Sequence, residues 1–140
     1  MVVKLSEEDA GRVAALLNYR HDGLVVAVAQ DARTAEVLMV AFMDAPSLIK
    51  TLTTGMAHYF SKSRRRIWLK GERSGHFQYV EEALIDCDND ALLLKVRQVG
   101  GACHLGYRSC FFRRLIGAQF RPIEEARSKL PYKNSGVYGR

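Results

Sequence analysis

Two apolar runs, residues 24–30 (LVVAVAQ) and 36–43 (EVLMVAFM), are separated only by the polar stretch DARTA at 31–35. This pattern constrains the fold more than any other. Runs rich in valine and aromatic residues around a short polar link predict two neighbouring strands. Their near-continuous apolarity predicts burial on both faces. On the N-terminal side, Ser6 and Asp9 open a capping motif, and Val13, Leu16 and Leu17 recur at helical spacing, which predicts a helix over 6–20. On the other side Asp44 is suited to an N-cap, Pro46 to a first helical turn and Gly55 to a helix end, which predicts a second helix. Further strands are expected near 57–61, 67–70, 77–87, 91–99 and 111–115. Strands outnumber helices and do not alternate with them, so the expected class is α+β. The sheet is expected to be curved, mainly antiparallel and pseudo-barrel-like, in a single domain. With 140 residues the chain can bury about 70% of its unfolded surface. Residues 124–129 are expected to form a turn or two of helix and 131–140 a mobile terminus.

The N-terminus carries acid where a signal peptide carries base, and no run of about eighteen apolar residues occurs. A cytoplasmic protein is therefore expected. Three cysteines, an odd number, argue against a disulfide framework and for thiols that bind metal, react or pack. The formal charge of +6 reads either as a solvated basic surface or as a surface for nucleic acid or a phosphorylated small molecule.

The residues that carry chemistry lie in the second half. Residues 86–90, DCDND, interleave hard oxygen ligands with one soft sulfur. If extended, Asp86, Asp88 and Asp90 share one face and Cys87 points to the other. The same run also reads as an Asp/Asn-rich turn. An EF-hand loop is excluded, because counting from Asp86 puts Ala91 at the required glycine and Arg97 at the bidentate glutamate. An open carboxylate site for Mg²⁺ that accepts substrate phosphates is the remaining metal reading. Cys87, Cys103 and Cys110 are either buried packing or three thiolates for a zinc with one open position. Of the histidines, His104 beside Cys103 is the better candidate for a general base, His58 and His76 read as strand-end or loop residues without a task of their own, and His21 reads as structural. The loop 71–76 (GERSGH) can approach a ligand closely or serve as a plain connection. Trp68 reads as core or as a purine platform. A basic, zinc-stabilised nucleic-acid-binding module is the competing class, but three aspartates beside a cysteine would repel a phosphate backbone.

The segments AHYFSKSR (57–64), IWLKGERSGH (67–76), DCDNDALLLKV (86–96) and GGACHLGYRSCFFR (100–113) resemble, in order, the motif set of the phosphoribosyl-AMP cyclohydrolase family of histidine biosynthesis. Leu105 and Arg73 depart from that pattern by standing where a threonine is expected. The resemblance implies a cyclohydrolase domain over 1–115, with the helix at 6–20 and a motif-bearing core at 23–115, and with 116–140 as a tail of the same domain. It implies Mg²⁺ on Asp86, Asp88 and Asp90, and Zn²⁺ on Cys87, Cys103 and Cys110. It further implies an intertwined homodimer in which each zinc takes Cys87 from one chain and the other two thiols from its partner. The implied reaction is hydrolytic opening of the N1–C6 bond of a phosphoribosylated AMP by zinc-activated water. His104 and His58 would move protons, and Trp68, Lys70, Arg64, Arg73 and His76, with Lys62, would contact substrate. A cyclohydrolase acting on a related purine is a further alternative beside the nucleic-acid-binding module. Neither nucleic acid nor membrane is an expected partner.

Overall fold

The structure, a computed structural model, describes residues 2–123. Helix α1 (Glu7–Leu16) starts where the Ser6 hydroxyl accepts the Asp9 amide, and its first turn carries Glu7, Glu8 and Asp9. Acid there complements the positive helix end. The helix stops short of the expected residue 20. The reason is tertiary, because the Asn18 amide donates to the Asn89 carbonyl (2.7 Å) instead of continuing the helix. Its buried stripe also differs from expectation: Ala10, Ala14 and Leu17 face the core, while Leu16 is exposed.

Strands β1 (Val25–Asp31) and β2 (Val37–Met43) form the expected antiparallel pair. Helix α2 (Ala45–Thr54) follows, closed at its start by a reciprocal Asp44–Ser47 capping box and at its end by Gly55 in the left-handed conformation. A side chain at Gly55 would run into Val2 and the Val3 carbonyl, so the N-terminal segment packs directly over this turn. Hairpin β3 (His58–Ser61) and β4 (Arg66–Leu69) and hairpin β5 (Gln78–Ile85) and β6 (Ala91–Gln98) complete one curled sheet, in the order β4-β3-β2-β1-β6-β5. The class is α+β, and the sheet is mixed: β1 and β6 run parallel, while the other four ladders are antiparallel.

Both helices pack on one face, over a core that includes Val25, Ala27, Met39, Leu48, Tyr59 and Leu94. The expectation that β1 and β2 are buried on both faces is corrected. β1 alternates buried and half-buried positions, and Val37 and Val40 of β2 are exposed. Register places Leu84, Leu93, Val28 and Val40 in one cross-strand row and Val26, Phe42, Phe60 and Ile67 in the next. This second face is apolar, and neither of the described helices covers it.

The expected final strand appears as β7 (Arg113–Ile116), but it pairs with a further strand, β8 (Gln119–Pro122), in a separate hairpin. Part of the expected tail is thus ordered, with Leu115, Ile116 and Phe120 exposed. The readings for 124–129 and 131–140 lie outside the described residues.

Candidate active site: a carboxylate turn and a thiol loop

The run 86–90 is a tight turn joining β5 to β6, not an extended segment. Asn89 takes the left-handed conformation (φ 63°), which asparagine tolerates better than most residues. Asp86 Oδ1 accepts the Asp90 and Ala91 amides at 3.0 and 3.1 Å. Turning, not strand alternation, therefore brings the carboxylates together, and one oxygen from each of Asp86, Asp88 and Asp90 lies within 4.8 Å of the others. The crowding is visible electrostatically. Hydrogen bonding with Asp90 and then Asp86 pushes Asp88 above the usual carboxylate range. For Asp90, burial pushes upward but is outweighed by Asp86, Asp88, His21 and Arg20, which hold it low. A hard divalent cation is the species such a donor set fits.

Two residues at this turn were not anticipated as part of a site. Arg20 Nε lies 3.3 Å from Asp90 Oδ2 and Arg20 Nη2 lies 3.6 Å from Asp88 Oδ2, while His21 Nε2 lies 3.1 Å from Asp90 Oδ2. In the sequence His21 marks only a helix end. Nothing in its spacing connects it to residue 90.

The second centre is the loop from β6 to β7. Cys103 is buried and folded on itself: its amide donates to the Tyr107 carbonyl (3.1 Å), and its sulfur accepts the Leu105 amide (3.4 Å). The Cys110 thiol beside it holds the Cys103 thiol down to about 6. Burial opposes this, while the Leu105 amide, His104 and the Tyr107 backbone contribute to the lowering. A thiol so placed is readily available as thiolate, the form that binds zinc. The Cys110 amide donates to the Leu38 carbonyl (2.7 Å). Leu38 is the unpaired residue of a β-bulge, since Ala29 pairs with Met39 and Gln30 with Val37. The irregularity in β2 thus supplies the acceptor that seats Cys110. Arg108 ties the same loop to the β1–β2 turn through Asp31 (2.7 Å) and Glu36 (3.1 Å).

A third loop, 70–76, lies against this one. Lys70, expected among the substrate contacts, is 1% exposed, and its ammonium donates to the Ala102 carbonyl. His76 is also buried, with Nδ1 3.1 Å from the Gly101 carbonyl; burial lowers its pKa, more than that contact raises it. Trp68 is mostly buried against Tyr59, with ring centroids 5.3 Å apart, and its edge lines a groove of about 230 Å³ with Phe42, Phe60 and Ser61 on the open sheet face. Arg64 and Arg73 are exposed, in the β3–β4 turn and in the 70–76 loop. His104 is exposed beside Cys103. His58 is half-buried, with Nδ1 2.8 Å from the Met56 carbonyl, and burial pushes its pKa below the usual histidine range.

The fold therefore groups the three aspartates and, separately, Cys103 with Cys110. Cys87 is exposed on the carboxylate turn and forms no cluster with the other two thiols among the described residues.

The family model described as phosphoribosyl-AMP cyclohydrolase matches residues 39–112. Curated proteins of that name are similar over most of the chain. The protein of Methanothermobacter thermautotrophicus is 56% identical over 120 residues, 83% of this chain and 87% of its own. That of Pyrobaculum calidifontis is 63% identical over 105 residues, 74% of this chain and 82% of its own. That of Desulforapulum autotrophicum is 62% identical over 95 residues, covering 67% and 76%.

Proposed function

Because the chain belongs to the phosphoribosyl-AMP cyclohydrolase family, a family of hydrolases acting on a cyclic amidine bond, we propose that it opens the adenine ring of 1-(5-phosphoribosyl)-AMP in histidine biosynthesis. The observation that supports this reading is the pairing of Cys103 with Cys110, apart from the hard-oxygen turn at Asp86, Asp88 and Asp90. Two donor sets of opposite softness suit two different ions. Zinc on Cys103, Cys110 and a Cys87 would supply Lewis acidity that lowers the pKa of a water towards 7, and Mg²⁺ on the aspartates would supply charge for the substrate phosphates.

The chain's own residues do the rest. Substitution at N1 draws electrons from the six-membered ring and leaves C6 electrophilic. Water adds at C6, the N1–C6 bond breaks, and the product is the ring-opened formimino carboxamide with both phosphates retained. His104, exposed beside Cys103, takes the proton from the attacking water and returns it to N1. His58 is the second candidate for this transfer. Trp68 helps line the groove that receives the base, while the exposed guanidinium groups of Arg64 and Arg73 take the phosphates.

The reading also makes the protein a homodimer. The apolar rows of the sheet, left open by both described helices, are of the kind that a second copy buries. The exposure of Cys87 fits a zinc that draws this thiolate from one chain and Cys103 with Cys110 from the other. A cytoplasmic location goes with this reading. The test is incubation of the zinc- and magnesium-loaded protein with the N1-phosphoribosyl nucleotide while the ultraviolet spectrum is recorded. Ring opening changes the chromophore, and an unchanged spectrum sinks the assignment.

A further inference from the structure

Lys70 and His76 are left without a task by that mechanism, yet both are buried and both point at the same short piece of backbone. Burying an ammonium group is costly unless strong hydrogen bonds or nearby negative charge offset the lost hydration. A side chain needed only for packing would be apolar. Here Lys70 donates to the Ala102 carbonyl and His76 Nδ1 meets the Gly101 carbonyl, the two peptide units just before Cys103. The facing amides are held as well: Ala102 donates to the Arg108 carbonyl (2.9 Å) and Cys103 to the Tyr107 carbonyl (3.1 Å). Residues 101–103 are therefore gripped from both sides. Without that grip, Gly100 and Gly101 would leave the segment loose. Gly71 explains how one loop reaches both carbonyls. A Cβ there would meet the backbone of His76 and Phe77 at 2.7 Å, so only glycine lets the 70–76 loop close this tightly and bring its two ends to bear together.

We propose that Lys70 and His76 are positioning residues for the Cys103 thiolate: they clamp the Gly101–Ala102 peptides, and the buried charge of Lys70 offsets the negative charge that remains when three thiolates hold one divalent ion. The inference rests on the zinc reading above and extends it to residues outside the ligand set. Neighbours that hold a ligand in place govern metal affinity as well as ligand geometry.

The test uses the full-length chain with Lys70→Met, His76→Leu and His76→Asn, the last keeping a donor near the position of Nδ1. Two quantities are measured: zinc affinity by competition with a chelator, and amide exchange at Ala102 and Cys103 against Ala27 and Ala29 in β1. Lys70→Met and His76→Leu should weaken zinc binding by about 10- to 100-fold. They should also speed exchange at Ala102 and Cys103 by about tenfold or more while β1 stays protected. His76→Asn should remain near wild type in both. Wild-type zinc affinity in both Lys70→Met and His76→Leu overturns the proposal, and so does an equal loss of protection in β1, which would mean that the two residues merely support the fold. If Lys70→Met does not fold, the contrast between His76→Leu and His76→Asn decides the matter in the same way. A wild-type chain that takes up no zinc removes the zinc reading, and the exchange at Ala102 and Cys103 then upholds or overturns the clamp by itself.

Discussion

Replacing Arg108 with alanine should destabilise the protein by about 2–3 kcal/mol, and the structure divides that figure between two arms. The arm to Asp31 is short, at 2.7 Å, and its carboxylate is only 7% exposed. Asp31 is already fixed by accepting the Arg33 and Thr34 amides at 2.8 and 3.0 Å, so its oxygen cannot swing out to water when the guanidinium is lost. A hydrogen bond to a charged partner in such a setting contributes about 1.5–3 kcal/mol. The arm to Glu36 spans 3.1 Å to a carboxylate that is 36% exposed, and water screens it to about 0.5 kcal/mol or less. Arg108→Lys, which keeps charge without the fork, should recover about half of the loss. The dependence on pH has a definite sign. Burial alone pushes Asp31 up, but the Thr34 and Arg33 amides and then Arg108 outweigh it and hold the carboxyl below the usual range. A group with a depressed folded pKa stabilises above its unfolded value, about 3.9, and loses that contribution as the pH falls through the folded value. The gap between wild type and Arg108→Ala should therefore be constant from about pH 5 to 8 and close on acidification below about 4. The assay is urea unfolding at fixed protomer concentration, because an associating chain has concentration-dependent stability. A loss under about 0.5 kcal/mol, or no coupling between Arg108→Ala and Asp31→Asn in a double-mutant cycle, refutes the reasoning.

Cys87→Ser and Cys103→Ser homodimers should each be inactive, whereas co-refolding them in equal amounts should restore about one quarter of wild-type turnover: half of the dimers are mixed, and each mixed dimer has one intact site of two. A dead mixture in which mixed dimers are shown to form contradicts zinc sharing. Asp88→Asn should lose most Mg²⁺-dependent turnover while retaining zinc and fold, read by activity titrated with Mg²⁺ after mild EDTA treatment; full Mg²⁺-dependent turnover in this variant removes Mg²⁺ from the turn. His104→Ala should lower kcat by about 10²- to 10⁴-fold with zinc still bound. Zinc loss in that variant would make His104 a ligand, and an unchanged rate would make it a bystander.

What the sequence disclosed was local. Asp44, Pro46 and Gly55 announce α2 because the signals for a helix end lie within a few residues of the backbone they serve. Apolar alternation identifies a strand and its faces but not its neighbours, so the parallel contact of β1 with β6 has no signature in either segment. The end of α1 was misplaced for a related reason, since the acceptor that diverts Asn18 belongs to the distant Asn89. The aspartate cluster was legible as composition, but its geometry was not: alternation assumed an extended run, while Asn89 turns it. Lys70 was read as a substrate contact, and the hydrogen bond that holds its buried ammonium comes from the Ala102 carbonyl, thirty-two residues away, which nothing local in the sequence announces. Burial on both faces of β1 and β2 was inferred from apolarity alone, and apolarity does not say whether the same chain provides the cover.

The single parallel ladder has a consequence for how the molecule assembles. Each hairpin of the sheet closes over a short connection, but Val26 meets Ala91 only after about 65 intervening positions are gathered in, an entropic handicap about 2 kcal/mol larger than that of the five-residue link between β1 and β2. Docking β6 beside β1 should therefore come later and more slowly than closure of the hairpins, which pulsed amide exchange during refolding would read as late protection of β1 against early protection in the β5–β6 hairpin. The two halves of the site fall on different sides of that event. The aspartates sit in the turn of the β5–β6 hairpin and can converge as soon as it zips. Cys110, by contrast, is seated on the β2 bulge and Arg108 on the β1–β2 turn, while the chain leading to them leaves from β6. A refolding chain should therefore acquire its hard-ion turn first and its thiol pair only once the sheet has closed.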